Sequence, residues 1–206
     1  MIERFILQGM GVNCYIYYNE NTKKGFMVDP GMASDKVRDF VEAQNLKIEA
    51  ILLTHGHGDH IMGVEYFRKL YKCPVYAHEA ERDILERAEL NKSREIYGSP
   101  VELRDISYLK TGEEPPLEST KVQVLFTPGH SPGGLSYLTD EGLFSGDTLF
   151  KLGIGRYDLY GGDFDQLEDS IMNTLYELPE DTAVYPGHGV STTIGYEMKK
   201  NLHFRK

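Results

Sequence analysis

The segment Thr54-His55-Gly56-His57-Gly58-Asp59-His60 constrains this chain more than any other. It places three histidines and a carboxylate between His55 and His60. The apolar run Ile51-Leu52-Leu53 leads into it, and the helical-looking run Ile61-Met62-Gly63-Val64-Glu65-Tyr66-Phe67 follows. A strand, a loop and a helix are predicted, with the ligand-type side chains in the loop. His55 and His57 are two apart, so in an extended loop they point the same way. Gly56 and Gly58 have no Cβ, which lets the backbone turn sharply around an ion. Read instead as a polar turn with a capping Asp59, the segment leaves three imidazoles with no packing purpose.

The rest of the chain repeats this arrangement. Strands are predicted at Phe5–Leu7, Cys14–Tyr18, Gly25–Val28, Ile48–Leu53, Pro74–Ala77, Val122–Phe126, Leu135–Leu138, Leu143–Phe144 and Thr182–Tyr185. Helices are predicted from Ser34, as cap, to Gln44, from the histidine loop to about Tyr71, from Glu79 to about Tyr97, and from about Phe164 to Tyr176. Asp29-Pro30-Gly31 ends the third strand and aims a carboxylate off its end. Four strands end in a loop carrying His or Asp: the His55–His60 loop, His130, Asp147 and His188. His130 and His188 both lie in Pro-Gly-His turns, where Pro and Gly fix the direction of the imidazole. Strands with interspersed helices indicate a layered α/β architecture, in one domain over residues 1–206.

His55, His57, Asp59, His60, His130, Asp147 and His188 exceed the four ligands of one closed tetrahedral site. They suffice for two metals, roughly 3.5–4 Å apart, sharing a carboxylate. A structural zinc more typically uses thiolates, and Cys14 and Cys73 have no suitable spacing. Both cysteines are expected as free, buried thiols. His78 and His203 stand alone and are assigned structural roles, His78 at the start of a helix. Imidazole and carboxylate ligands suit zinc, iron or manganese, so the ligand set does not fix the metal, and zinc is the first expectation.

The net charge of −10 disfavours binding along a phosphate backbone, which needs a basic face. No segment has the length and apolarity of a signal peptide or membrane span, so the expectation is a cytoplasmic protein without a membrane or nucleic-acid partner. It is expected as a monomer or small homo-oligomer.

Thr54 to His60 resembles the metal motif of the metallo-β-lactamase superfamily. The resemblance extends through Val28-Asp29-Pro30-Gly31, Thr127-Pro128-Gly129-His130, Gly146-Asp147-Thr148 and Pro186-Gly187-His188-Gly189. Within the superfamily the chain is most similar to glyoxalase II-like hydrolases of a compact bacterial type, through Ser145–Phe150, Gly153–Arg156, Gly161–Asp163 and Thr192–Glu197. The resemblance implies a four-layer αββα sandwich with two divalent metal ions at one edge between the sheets. It implies His55, His57 and His130 on one ion, Asp59, His60 and His188 on the other, and Asp147 bridging. Asp29 is implied to support the metal loop, and Arg156 and Tyr157 to lie at the substrate rim.

The implied reaction is hydrolysis of a small acyl-thiol, a thioester such as S-lactoylglutathione, by a metal-bridging hydroxide that Asp59 orients as well as ligates. A thiolate leaves readily, so no strong general acid is required. Fuller glyoxalase II enzymes continue into a helical domain that grips glutathione, and most of it has no counterpart before Lys206. Lys199, Lys200, Arg205 and Lys206 form a basic end, read as a solvated helix end or as a contact for a substrate carboxylate. The rival reading is a mononuclear-iron persulfide dioxygenase of the same fold. A β-lactamase, a nuclease and a non-enzymatic metal-binding module rank below it.

Overall fold

A computed structural model describes residues 1–206. Eleven of its thirteen strands gather into two main sheets with apolar side chains on both faces. Strands β1 (Ile2–Ile6), β2 (Asn13–Tyr18), β3 (Lys24–Val28), β4 (Lys47–Leu52), β5 (Val75–His78) and β6 (Ser107–Leu109) lie side by side in that order. The second sheet uses β7 (Gln123–Phe126), β8 (Leu135–Thr139), β9 (Gly142–Gly146), β12 (Ala183–Pro186) and β13 (Thr192–Thr193), in the order β13-β12-β9-β8-β7. Between them in the chain, β10 (Leu149–Phe150) and β11 (Gly153–Ile154) form a separate two-stranded hairpin.

Alternation along each strand sorts its side chains into layers. From β2, Tyr15 and Tyr17 point into the inter-sheet core, with Phe26, Leu52, Leu135, Tyr137 and Phe144. Cys14, Ile16 and Tyr18 point the other way, against Val37 and Val41 of α1 (Asp35–Ala43), Ile61 of α2 (Gly58–Ile61), and Val64 and Phe67 of α3 (Val64–Tyr71). On the outer face of the second sheet, Leu143 and Val184 pack against Leu167 of α6 (Phe164–Asp169) and Ile194 of α7 (Ile194–Lys200). Helix, sheet, sheet and helix follow one another, the expected αββα sandwich. Phe144 of the second sheet reaches the aromatics of the first, with ring centroids 5.3 Å from Tyr15 and 6.1 Å from Phe26. Truncating such a residue to alanine costs about 3–5 kcal/mol.

Strand direction places the loops. β3, β4 and β5 are parallel neighbours, so the C-terminal ends of β3 and β4 lie together. β7 and β9 both run antiparallel to β8, and β12 runs parallel to β9. The C-terminal ends of β7, β9 and β12 therefore share one edge, and His130, Asp147 and His188 follow them.

Three predicted helices are interrupted. The helix after the histidine loop breaks at Met62 and Gly63, where the Gly63 N–H donates to Pro30 O at 2.8 Å. The stretch Glu79–Tyr97 is not one helix. A 3-10 turn (Glu79–Glu81) leads into α4 (Arg82–Glu86), and α5 (Ser93–Tyr97) follows a loop. Asn91 holds that loop, donating from Nδ2 to Ile84 O at 3.1 Å and to Val101 O at 2.8 Å, and accepting the Ser93 N–H at 2.9 Å. The helix from Phe164 passes into a π turn at Ser170–Thr174 and a 3-10 turn at Leu175–Glu177, with Ser170 Oγ donating to Pro128 O at 2.7 Å. Ser34 caps α1 by position only, with no side-chain bond. His78 accepts the Ala80 N–H at 3.3 Å and stacks on Phe126, a structural role. Cys14 and Cys73 are free and buried, and burial pushes both thiols up, Cys73 to about 11. No helix is long and apolar enough to cross a membrane.

Candidate metal centre

The histidine loop is fixed first by Asp29, at the end of β3. Asp29 Oδ1 accepts the Thr54 N–H at 2.8 Å, and Oδ2 accepts the Thr54 hydroxyl at 2.6 Å. Oδ2 also lies 2.9 Å from His60 Nδ1. Asp29 holds this position with φ of 48°, in the left-handed region that costs a non-glycine residue about 1–2 kcal/mol. Such an outlier persists where surrounding bonds over-determine it, as these three do.

His55, His57 and His130 converge. His57 Nδ1 lies 2.9 Å from His130 Nε2, which lies 3.2 Å from His55 Nε2. Outer partners assign two of the tautomers. His130 Nδ1 sits 2.7 Å from the Arg156 carbonyl, which only accepts, so Nδ1 carries the proton. The Thr54 hydroxyl proton is committed to Asp29, so Thr54 Oγ1 accepts from His55 Nδ1 at 3.1 Å. The Nε2 atoms of His55 and His130 therefore face each other as lone pairs, with no proton between them. A cation resolves that repulsion, and neutral imidazole is the form that ligates. Burial lowers all three histidines, His57 to about 3, so they stay neutral at pH 7.

Asp59, His60 and His188 form a second convergent group. His188 Nε2 lies 3.1 Å from Asp59 Oδ2, and His60 Nε2 lies 3.9 Å from the same oxygen. His60 Nδ1 donates to Asp29, which turns the Nε2 lone pair inward, where it is buried with no hydrogen-bond partner. Asp29, His55 and His60 also cluster, but both Asp29 oxygens are already occupied by Thr54 and His60. Asp29 therefore supports the group from behind.

Asp147 lies between the two groups. Its Oδ1 is 3.4 Å from His60 Nε2, and its Oδ2 is 3.6 Å from His188 Nε2 and 3.7 Å from His130 Nε2. Oδ1 is buried without a hydrogen-bond partner. Burial alone would raise Asp147, but His60, His130 and His188 outweigh it and hold the carboxyl well below its usual range. Asp59 is held down in the same way, chiefly by His60 against burial. Burial would lower His60, yet Asp147, Asp59 and Asp29 together hold it well above its ordinary value. His188 is raised against its burial by its bond to Asp59. The carboxylates demand positive charge, which a divalent ion supplies in place of a proton. Two orphaned ligand atoms, two facing lone pairs and a shared carboxylate fit metal ions.

The His188 turn rests on β2. Asn13 N donates to Gly187 O at 2.7 Å, and its Nδ2 donates to Pro186 O at 2.9 Å and Gly189 O at 3.0 Å. The Tyr15 hydroxyl donates to Pro186 O at 2.7 Å. Gly187 has to be glycine here, since a Cβ would meet Asp147 Oδ1 and come within 2.7 Å of His60 Cε1.

A cavity of ≈ 380 Å³ opens above the groups, with Met10, Lys92, Glu95, Ile96, Arg156 and Leu159 at its rim. The Arg156 guanidinium grips Asp158 at 2.7 and 2.9 Å, and Lys92 pairs with Glu95 at 3.0 Å. Tyr157 is not among the lining residues, and its ring packs edge-on to Phe164 at 5.0 Å. The basic C-terminal end is engaged elsewhere: Lys199 pairs with Glu180, Lys206 with Glu177, and Arg205 Nε donates to Asn201 O at 2.8 Å. Sequence reasoning passed over Asn13, Tyr15, Glu81 and Asn91. Glu81 accepts N–H groups from two of the ligand loops, and Asn91 O accepts the Gly58 N–H at 2.6 Å. In sequence, Glu81 is one acid among many in a charged stretch.

Residues 7–188 match the family model described as the metallo-beta-lactamase superfamily. The chain belongs to the metallo-β-lactamase superfamily. It is similar to the hydroxyacylglutathione hydrolase GloC of Haemophilus influenzae, 31% identical over 92% of this chain and 91% of that protein. Among solved structures it resembles the BLEG-1 B3 metallo-beta-lactamase, with a TM-score of 0.92 and 40% identity over 98% of this chain and all of that one, a coverage of 100%. It also resembles TTHA1623, solved in a di-iron-bound form, with a TM-score of 0.85 and 33% identity over 97% and 98% of the two chains. Metallo-β-lactamase fold and metallo-hydrolase class hold for this protein, and its convergent His and Asp groups are divalent-metal sites in kind.

Proposed function

We propose that the protein is a two-metal thioester hydrolase acting on S-lactoylglutathione or a related small acyl-thiol. In this reading His55, His57 and His130 hold one ion, Asp59, His60 and His188 hold the other, and Asp147 contacts both. The observation that carries it is the position of Asp147, within 3.4–3.7 Å of imidazole nitrogens from both groups. Zinc is the first expectation, and the di-iron form of TTHA1623 supports iron equally well. Divalent ions bound there supply Lewis acidity, which brings the pKa of water down to about 7 and polarises a carbonyl.

The chain's own groups do the rest. Asp59 is ionised at neutral pH and has His188 against Oδ2, so it can hold a water by hydrogen bond and take its proton. Asp29, Thr54 and Arg156 O fix the tautomers and directions of His60, His55 and His130, so little reorganisation accompanies the reaction. A thiol leaving group with a pKa near ~8.5 departs as thiolate without a general acid. An acyl chain needs an apolar wall.

 Met10, Ile96 and Leu159 supply that wall, and the cation–carboxylate pairs Lys92–Glu95 and Arg156–Asp158 give the rim both signs of charge.

The test is metal analysis of the purified protein together with hydrolysis assays. Two ions per chain with turnover of S-lactoylglutathione supports the reading. Two ions without that turnover keeps the hydrolase class and rejects the substrate. Hydrolysis of a β-lactam instead would side with BLEG-1, and one iron per chain with persulfide-dependent oxygen uptake would replace hydrolysis by oxidation.

A further inference from the structure

Glu81 is wholly buried, and it is in none of the ligand groups. It closes the 3-10 turn after β5 and sends its carboxylate between two loops. Oε2 accepts the Gly56 N–H at 2.8 Å, and Oε1 accepts the Gly133 N–H at 2.7 Å. Gly56 lies between His55 and His57, and Gly133 lies three residues after His130. One carboxylate thus spends one oxygen on each loop of the three-histidine group.

Both glycines are required by this approach. A Cβ on Gly56 would come within 3.0 Å of Glu81 Oε2 and 2.8 Å of Ile84 Cγ2. A Cβ on Gly133 would come within 2.7 Å of Glu81 N and 2.8 Å of its Cγ. No lysine, arginine or histidine forms a salt bridge with Glu81. A buried carboxylate with no cationic partner is costly, and burial indeed pushes Glu81 up. The Asp59–His60–His188 group has a different support, because Asp29 binds Thr54 and His60.

We propose that Glu81 is the positioning residue of the three-histidine group, a clamp that fixes the His55–His57 loop against the His130 turn. Metal affinity at His55, His57 and His130 then depends on Glu81, and affinity at Asp59, His60 and His188 does not. The inference rests on the ligand assignment proposed above. Glutamine keeps the shape of Glu81 but offers one acceptor, so its amide NH2 meets an N–H of one loop and releases it.

Cobalt(II) titration of the chelator-stripped full chain, followed by visible absorption and calorimetry, tests this without any substrate. His188→Ala isolates the three-histidine event, and His57→Ala isolates the other. Added to His188→Ala, Glu81→Gln is expected to weaken cobalt binding about 10–100-fold, the usual cost of losing a residue that orients ligands. Added to His57→Ala, it is expected to change nothing. Gly133→Ala, which displaces the same contact without altering charge, is expected to reproduce the selective loss. Equal weakening of both events, or no change in either, overturns the clamp. So does unfolding of both Glu81→Gln and Gly133→Ala by circular dichroism, which would make the contact a plain stability element. A wild-type chain that binds two cobalt ions while Glu81→Gln matches it overturns the clamp alone. A wild-type chain that binds none overturns the ligand assignment and the clamp together.

Discussion

Asp29 Oδ2 and His60 Nδ1 stand 2.9 Å apart with both side chains out of water. That contact turns the other nitrogen of His60 toward Asp59 and Asp147. Asp29→Asn presents an NH2 to one of the donors that Asp29 now accepts, either Thr54 or His60. The expected result is a loss of about 1–3 kcal/mol of stability from an unsatisfied buried group. Metal affinity at the second group should fall about 10–100-fold. Urea unfolding and metal analysis after dialysis check the two parts separately.

Asp147→Ala removes the one carboxylate that reaches imidazoles from both groups. The purified variant should retain less than two ions per chain and lose thioester hydrolysis. Retention of both ions with unchanged turnover would remove Asp147 from the centre.

Asn13→Ala deletes two hydrogen bonds from the turn that carries His188, and Tyr15→Phe deletes one. Tyr15→Phe should cost about 0.5–1.5 kcal/mol and leave turnover nearly intact. Asn13→Ala should also lower metal occupancy at the second group, because it removes the side-chain bonds that hold the turn on both sides of His188. Thermal melts and metal counts distinguish the two variants.

Arg156→Ala should leave metal content unchanged, since the Arg156 carbonyl and not its side chain holds His130. The guanidinium is exposed and already paired with Asp158, which limits what it can give a substrate carboxylate. A rise in KM of about threefold or less with kcat retained is the expected pattern of lost uniform binding.

Acid should destabilise the metal-free protein. His57 sits at about 3 in the folded chain against an ordinary 6.5, chiefly through burial. Between those values the unfolded chain binds the extra proton, so stability falls as pH falls from 6.5 toward 3. Asp59 and Asp147 are depressed, and their contribution is present above their ordinary value of 3.8 and lost as pH falls through their folded values. His60 acts in the opposite sense: its contribution is complete below 6.5 and is lost as pH rises through its raised value. Urea midpoints in chelator should therefore drop from pH 7 to pH 4, and His57→Gln should flatten that slope.

The seven ligand-type residues were legible because each is local to a strand end: a dense histidine loop, two Pro-Gly-His turns and a Gly-Asp. Nine strands were legible from their apolar runs, whereas β6, β10, β11 and β13 are only two or three residues long and carry no such run. The supports were not. Asn13 meets Pro186 across 173 residues, and Glu81 meets Gly133 across 52. No local period marks such contacts, and a charged stretch reads the same whether its glutamate faces water or a loop. The interruptions at Gly63 and Asn91 have the same origin: tertiary hydrogen bonds to Pro30 and Val101 override helical spacing. The rim was the least legible part. Arg156 contributes a carbonyl that any residue carries, and Tyr157 turns onto Phe164.

The parallel course of β3, β4, β7, β9 and β12 gives the molecule two unlike ends. The hairpin turns Asn19–Lys23 and Asp140–Glu141 lie at the opposite pole from His55, and they are tied to their surroundings by Tyr17–Asp140 and Asn19–Ser119 contacts. New sequence spliced into either turn faces away from the chemistry. A fluorescent reporter, an affinity handle or a second domain can be grafted at that pole with the reactive mouth left open, which makes the chain a practical module for tethering a hydrolase by its blunt end.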